Sequence, residues 1–193
     1  MDFDKIVAGV KMLIDGIGDT HLREGLADTP IRVATILKNF IEAKEISDGE
    51  LLRQTFSAEN YDNFVIVRNI QFSSFCEHHL LPFFGKASLA YIPKFETVVG
   101  LSKLARIVDK YSKRLQLQER LTQQILDAIA ENVPSEGVLV IVSAQHMCMT
   151  TRGALKPGSE TITRSMSGKF ALDSGLRTEA QQLIFGVEKN IHE

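Results

Sequence analysis

Cysteine is nearly absent from this chain, with two in 193 residues. No Cys-x-x-Cys pair occurs, which excludes a zinc-finger spacing, and two cysteines make no disulfide framework. No apolar run reaches the length of a signal-peptide core or a membrane span. The formal charge is −2, so no basic surplus supports a nucleic-acid surface, although a small anion needs only local cations. A phosphate-cradling loop is missing as well, because Gly85-Lys86 has neither the preceding glycine nor the following hydroxyl residue of that motif. The His-x-Glu and Pro-Cys-x-x-Cys signature of zinc deaminases is also missing. These absences lead to the expectation of a soluble cytoplasmic protein in a reducing compartment.

What is present reads as an ordinary globular chain, 44% hydrophobic and 24% charged. Its length fits an N-terminal helical segment over residues 1–45 and a single domain over residues 46–193. Ile6, Val10, Leu13, Ile14 and Ile17 recur at helical spacing, so residues 3–15 read as a helix closed by Gly16 and Gly18. Thr29-Pro30 reads as an N-cap followed by proline at the first helical position, with Val33, Ile36, Leu37, Phe40 and Ile41 as the apolar stripe. Residues 45–62 lack a period and read as a loop with room for one helical turn.

From Phe64 the period changes to two. Phe64, Ile66, Ile70 and Phe72 alternate with Val65, Val67, Asn69 and Gln71 in a long strand that ends at Cys76. Pro82 and Gly85 read as the turn into a second strand, Lys86 to Ile92. Two helices follow, one after Gly100 and one carrying Leu117, Leu121, Ile125, Ala128 and Ile129. Val138 to Val142 reads as a buried strand, followed by a turn at Gly153 and Pro157-Gly158 and a threonine-rich strand from about Glu160 to Ser167. Ala180, Leu183, Ile184, Val187 and Ile191 close the chain as a helix. Strand pairs alternating with helix pairs argue an α+β fold with an antiparallel sheet.

Each cysteine has histidine within three residues: Cys76 with His78 and His79, Cys148 with His146. Thiolate and imidazole together suit Zn²⁺, and three protein ligands with one open position make a catalytic site. A free cysteine is equally a small buried hydrophobe, and a histidine pair can simply end a strand. If the strand after Val142 continues, its period of two puts His146 and Cys148 on one face. Ser102, Lys103 and Arg106 lie in the first turns of a helix, where an anion is favoured, though a solvated basic face reads the same way. Glu119 beside Gln118 either serves the helix dipole or matches the donor edge of a purine such as guanine. Arg152 is a further cation close to Cys148.

Several of these segments together closely resemble GTP cyclohydrolase I. They are Cys76-Glu77-His78-His79, Gly100-Leu101-Ser102-Lys103-Leu104-Ala105-Arg106-Ile107-Val108, Gln118-Glu119-Arg120-Leu121-Thr122, and His146-Met147-Cys148-Met149 with Arg152-Gly153. The match runs in order from Thr29-Pro30 to Phe170. The resemblance implies a tunnelling fold: an antiparallel sheet with helices on one face, the sheets of five subunits closing a barrel, and two rings stacked as a homodecamer. It implies Zn²⁺ held by Cys76, His79 and Cys148, with water as the fourth ligand.

The implied reaction opens the imidazole ring of GTP at C8, releases formate and yields 7,8-dihydroneopterin triphosphate, which can feed folate, biopterin or 7-deazaguanine synthesis. His78 and His146 would move protons, with Ser102 assisting the later rearrangement. Gln118 and Glu119 would read the guanine edge. Lys103, Arg106 and Arg152, with Arg32 from a neighbouring subunit, would hold the triphosphate. Two departures stand out: Thr35 sits where many relatives carry lysine, and Arg164-Ser165-Met166-Ser167-Gly168 lacks the usual arginine before glycine. The alternatives are a non-catalytic purine- or pterin-binding ring of the same fold and a structural zinc module with a closed four-ligand site.

Overall fold

A computed structural model of the chain describes residues 1–41, 46–61 and 63–186. The positions Val187 and Ile191 of the expected closing helix lie outside the described residues. The chain divides into two compact units, Met1–Ala43 and Lys44–Glu193.

The first unit holds α1 (Phe3–Gly16) and α2 (Thr29–Ile41), which pack on each other. Asp2 caps α1 by accepting from the Lys5 N–H at 3.0 Å, satisfying one of the free donors of the first turn. The second unit begins with α3 (Asp48–Leu52), the one helical turn that the sequence leaves room for, and β1 (Thr55–Ser57), a short strand where the sequence reads as a loop. Ser47 caps α3 through the Glu50 N–H, and β1 pairs antiparallel with β4 (Thr97–Val99).

The main sheet has the order β5-β2-β3-β6-β7: β5 (Leu115–Gln116), β2 (Val65–Cys76), β3 (Pro82–Pro93), β6 (Ser135–His146) and β7 (Thr161–Gly168). All pairs are antiparallel except β2 with the short β5, so the fold is α+β with a mixed sheet. The turn into β3 comes earlier than Pro82 and Gly85 suggest, at residues 77–81. Gly85 is instead a mid-strand residue, because a Cβ there would stand 1.9 Å from the Ser143 carbonyl oxygen on β6.

β2 does not alternate uniformly. Val67 pairs with Leu89 but Ile70 pairs with Ala87, so β2 carries one residue more than β3 over that interval. Asn69 takes the left-handed conformation at this bulge, φ 63°, and its N–H donates to Ser88 Oγ at 3.2 Å. The extra residue switches faces: Phe64 and Ile66 join one core, whereas Ile70, Phe72 and Cys76 join the other. The expected single face of Phe64, Ile66, Ile70 and Phe72 is therefore split. The bulge is what turns Cys76 to the face that carries Ile70 and Phe72.

Helices cover both faces of the sheet, not one. Leu104, Ile107 and Val108 of α4 (Leu101–Ser112) and Leu121, Ile125 and Ile129 of α5 (Gln118–Asn132) pack with Leu89, Tyr91, Val138, Val140 and Val142. On the opposite face, Phe170 of α7 (Lys169–Leu172) with Ala180 and Ile184 of α8 (Ser174–Phe185) covers Ala90, Ile92, Leu139 and Ile141. Burial on both sides explains why residues 138–142 are apolar without alternation. Among the described residues, no helix is long and apolar enough to cross a membrane.

Candidate metal centre and its surroundings

Cys76 ends β2, and the chain then coils back on itself. The His79 and Leu80 N–H groups donate to the Cys76 carbonyl at 3.3 and 2.9 Å, and the Cys76 N–H donates to the Leu81 carbonyl at 2.8 Å. Leu80 sits at φ 54°, the left-handed position that closes such a turn. This local winding brings His79 Nδ1 to 3.6 Å from Cys76 Sγ. Two further contacts anchor the turn: the Glu77 N–H donates to the Gln116 carbonyl at 3.1 Å, and Arg120 of α5 grips Glu77 with two hydrogen bonds of 2.5 and 3.1 Å. That pair holds the Glu77 carboxyl below its ordinary range.

Cys148 arrives from β6, whose last residue, His146, stands opposite Phe83 at the same end of the sheet as Cys76. β6 stops at His146, and α6 (Met147–Thr150) is a single helical turn, so Cys148 does not follow the strand's period of two. Thr150 Oγ1 donates to the His146 carbonyl at 2.9 Å and steadies the turn. The ligand atoms of Cys76, His79 and Cys148 all lie within 4.8 Å of one another, the one such group among the described residues.

These distances fit a tetrahedral ion. Bonds of about 2.3 Å to sulfur and 2.1 Å to nitrogen imply a sulfur–nitrogen edge of about 3.6 Å. Electrostatics point the same way. Burial first, then the neighbouring Cys76 sulfur, pushes the Cys148 thiol up, while Arg152 pulls it down. Two thiols packed together gain from a divalent cation that takes both as thiolates. Cys76 is buried, Cys148 half-buried and His79 exposed, so the site is reached from the His79 side.

The flanking histidines differ in setting. His78 is exposed, its ring edge-on to that of His79 at 6.0 Å between centroids. His146 is half-buried and stacks on Phe83, its ladder partner, at 4.5 Å and 3°. Burial pushes the His146 imidazole down, and nearby Glu119 works in the other direction. His146 Nε2 lies 2.7 Å from Gln118 Oε1. Gln118 itself is 1% exposed, and the two hydrogens of its Nε2 are shared among three acceptors, the Val142 carbonyl, the Thr161 carbonyl and Thr163 Oγ1, at 3.0, 2.9 and 3.1 Å. The side-chain amide thus has its partners inside the protein.

Glu119, Ser102, Arg106 and Arg152 are exposed and Lys103 is half-buried. Arg32 lies in the first unit, 3.1 Å from Asp28 in an exposed ion pair. The pairing of Gln118 with His146, the Phe83 stack and the Arg120 clamp on Glu77 carry no sequence signal, since each joins residues distant along the chain. Only the threonine-rich strand hinted at a polar network there.

The family model for GTP cyclohydrolase I matches residues 6–185. A protein named GTP cyclohydrolase 1 from Carboxydothermus hydrogenoformans is 50% identical over 184 residues, 95% of this chain and 95% of its own. Another of that name from Brevibacillus brevis is 47% identical over 184 residues, 95% of this chain and 98% of its own. Among solved structures, the apo form of the archaeosine synthase QueF-Like is similar over 56% of this chain and 97% of that chain, at 22% identity and a TM-score of 0.47.

Proposed function

This chain belongs to the GTP cyclohydrolase I family and is an enzyme of that type, and on that premise we propose how its own residues perform the reaction. GTP is the substrate. Its imidazole ring is opened at C8, the carbon leaves as formate, and the remainder rearranges to 7,8-dihydroneopterin triphosphate. The observation that carries the reading is the convergence of Cys76, His79 and Cys148 to within 4.8 Å.

These three residues would hold Zn²⁺. When bound, the ion supplies a nucleophile from water at neutral pH, because it lowers the pKa of water from 15.7 to about 7. Three ligands from the protein leave room for that water, as catalytic zinc sites require.

His78 follows Cys76 by two residues and is exposed, so it can reach a bound purine. It donates a proton to N7, which makes C8 a better electrophile, and an imidazole is a side chain suited to both giving and taking a proton. His146 serves the later stage, in which the ribose opens and the skeleton rearranges, with Ser102 contributing a hydroxyl. Glu119 reads N1–H and N2–H₂ of guanine. A carboxylate built for two donors rejects adenine, which would leave it unpaired. Lys103, Arg106 and Arg152 hold the triphosphate, with Arg32 from a neighbouring subunit, and Thr35 removes one cation that many relatives add.

A ring of subunits fits the sheet. Among the described residues, β7 has a single neighbour, β6, and β2 is flanked on its outer side only by the two-residue β5. Long unpaired edges of this kind are satisfied when sheets join edge to edge. Five such sheets would close a barrel, and two barrels would stack into a homodecamer.

The test is direct. Purified protein loaded with Zn²⁺ should convert GTP to formate and a pterin that fluoresces after oxidation, and a chelator should stop it. Formation of neither product by zinc-loaded protein overturns the reading.

A further inference from the structure

Gln118 is the first residue of α5, and a polar side chain at a helix start ordinarily faces water. Here it is 1% exposed. Its hydrogen bonds fix which atom of the amide is which. Two of the neighbours of Nε2, the Val142 and Thr161 carbonyls, can only accept, so the group facing them must be the NH₂. The carbonyl oxygen Oε1 therefore faces His146 Nε2 at 2.7 Å. An amide oxygen can only accept, so Nε2 of His146 carries the hydrogen. A neutral imidazole has one N–H, and Nδ1 is then the nitrogen with the lone pair.

The rest of the network has a single consistent direction. Thr122 Oγ1 donates to the main-chain carbonyl of Gln118 at 2.8 Å, which spends the only hydrogen of the threonine hydroxyl. The contact of 2.6 Å between Thr122 and Thr163 must then use the hydrogen of Thr163. That leaves Thr163 Oγ1 free to accept from Gln118 Nε2 at 3.1 Å. Every hydrogen thus points away from the amide oxygen, which stays available for His146. Phe83 stacked at 4.5 Å fixes the plane of the ring while Gln118 fixes its rotation.

We propose that Gln118 is a positioning residue, which holds His146 as the Nε2–H tautomer and presents Nδ1 to the reacting substrate, and that it takes no part in reading guanine. The proposal rests on the role of His146 in the proposed reaction and deepens it. The threonines of β7 and α5 then have a task, since they orient the amide that orients the imidazole.

Two measurements decide it. In zinc-loaded wild-type protein with ¹⁵N-labelled histidine, and His146→Asn to assign the signal, the His146 resonances should be those of the Nε2–H tautomer; an Nδ1–H pattern overturns the proposal. In Gln118→Met, kcat should fall on the order of 100-fold, as for a misplaced catalytic group. KM for GTP should stay within about threefold, as for a residue that does not bind the ground state. The preference for GTP over inosine triphosphate, which lacks the 2-amino group, should be unchanged. An unchanged kcat, or a raised KM with lost preference, means that Gln118 reads the base and overturns the proposal.

Thr163→Val leaves Gln118 in place and should lower kcat in the same direction, by about tenfold, with KM held. It keeps the test open if Gln118→Met fails to fold, and an unchanged kcat there counts against the network. A wild-type protein that releases no formate from GTP removes the proposed reaction instead, while the tautomer is still read from the resonance.

Discussion

His79 Nδ1 lies 3.6 Å from Cys76 Sγ, and the turn between them is wound by backbone hydrogen bonds from His79 and Leu80 to the Cys76 carbonyl. Half of the candidate metal centre is therefore built by a local turn. The other half, Cys148, depends on the register of β6 against β3, in which His146 stands opposite Phe83. The site is a meeting of a local motif with a long-range one.

Replacing Cys148 by serine should remove the second thiolate without disturbing the turn at 77–81. Zinc content by elemental mass spectrometry should fall from one per chain toward zero, with the circular dichroism spectrum unchanged. Full zinc occupancy in Cys148→Ser would exclude that residue as a ligand.

His78→Ala should separate chemistry from metal binding. Removing a positioned acid costs about 10²- to 10⁴-fold in rate, and zinc content should be unaffected because His78 is outside the three-residue cluster. Turnover within a factor of about two of wild type would show that the proton comes from elsewhere.

Tyr111 gives a pH dependence away from the site. Its hydroxyl donates to Asp48 at 2.6 Å, and Lys110 pairs with the same carboxylate at 2.6 Å. Burial first, then the hydrogen bond to Asp48, pushes the phenol from 10.0 up to about 12. A folded pKa above the unfolded one means a contribution fully present below pH 10 and lost as pH rises through about 12. Wild type should lose denaturation midpoint relative to Tyr111→Phe across that window, and parallel curves for the two proteins would refute the assignment.

Asn69 holds the bulge that turns Cys76 inward. Its φ of 63° costs a β-branched residue about 1–2 kcal/mol. Asn69→Val should lower the thermal midpoint, and Asn69→Gly should leave it nearly unchanged. Equal midpoints for valine and glycine would show that the left-handed conformation is not what keeps β2 in register.

The sequence told much about the site and less about the path of the chain to it. Cys76, His79 and Cys148 were legible because soft ligands are scarce here, and each cysteine has histidine beside it. The apolar run 138–142 was legible because a strand covered on both faces needs no alternation. The bulge was not, since Asn69 looks like any other position in a period of two until the partner strand is known. Gly85 was misread as a turn residue because a glycine required by a neighbouring strand looks, in sequence, like one required by a bend. The setting of Gln118 was not legible for a related reason: the carbonyls beside its amide belong to β6 and β7, 24 and 43 residues further on.

The account depends most on three protein ligands around one ion and a fourth place left to water. X-ray absorption at the zinc edge of the resting enzyme tests this directly. Two sulfurs, one imidazole and one oxygen are predicted; two sulfurs with two imidazoles and no oxygen would contradict it and make the centre structural.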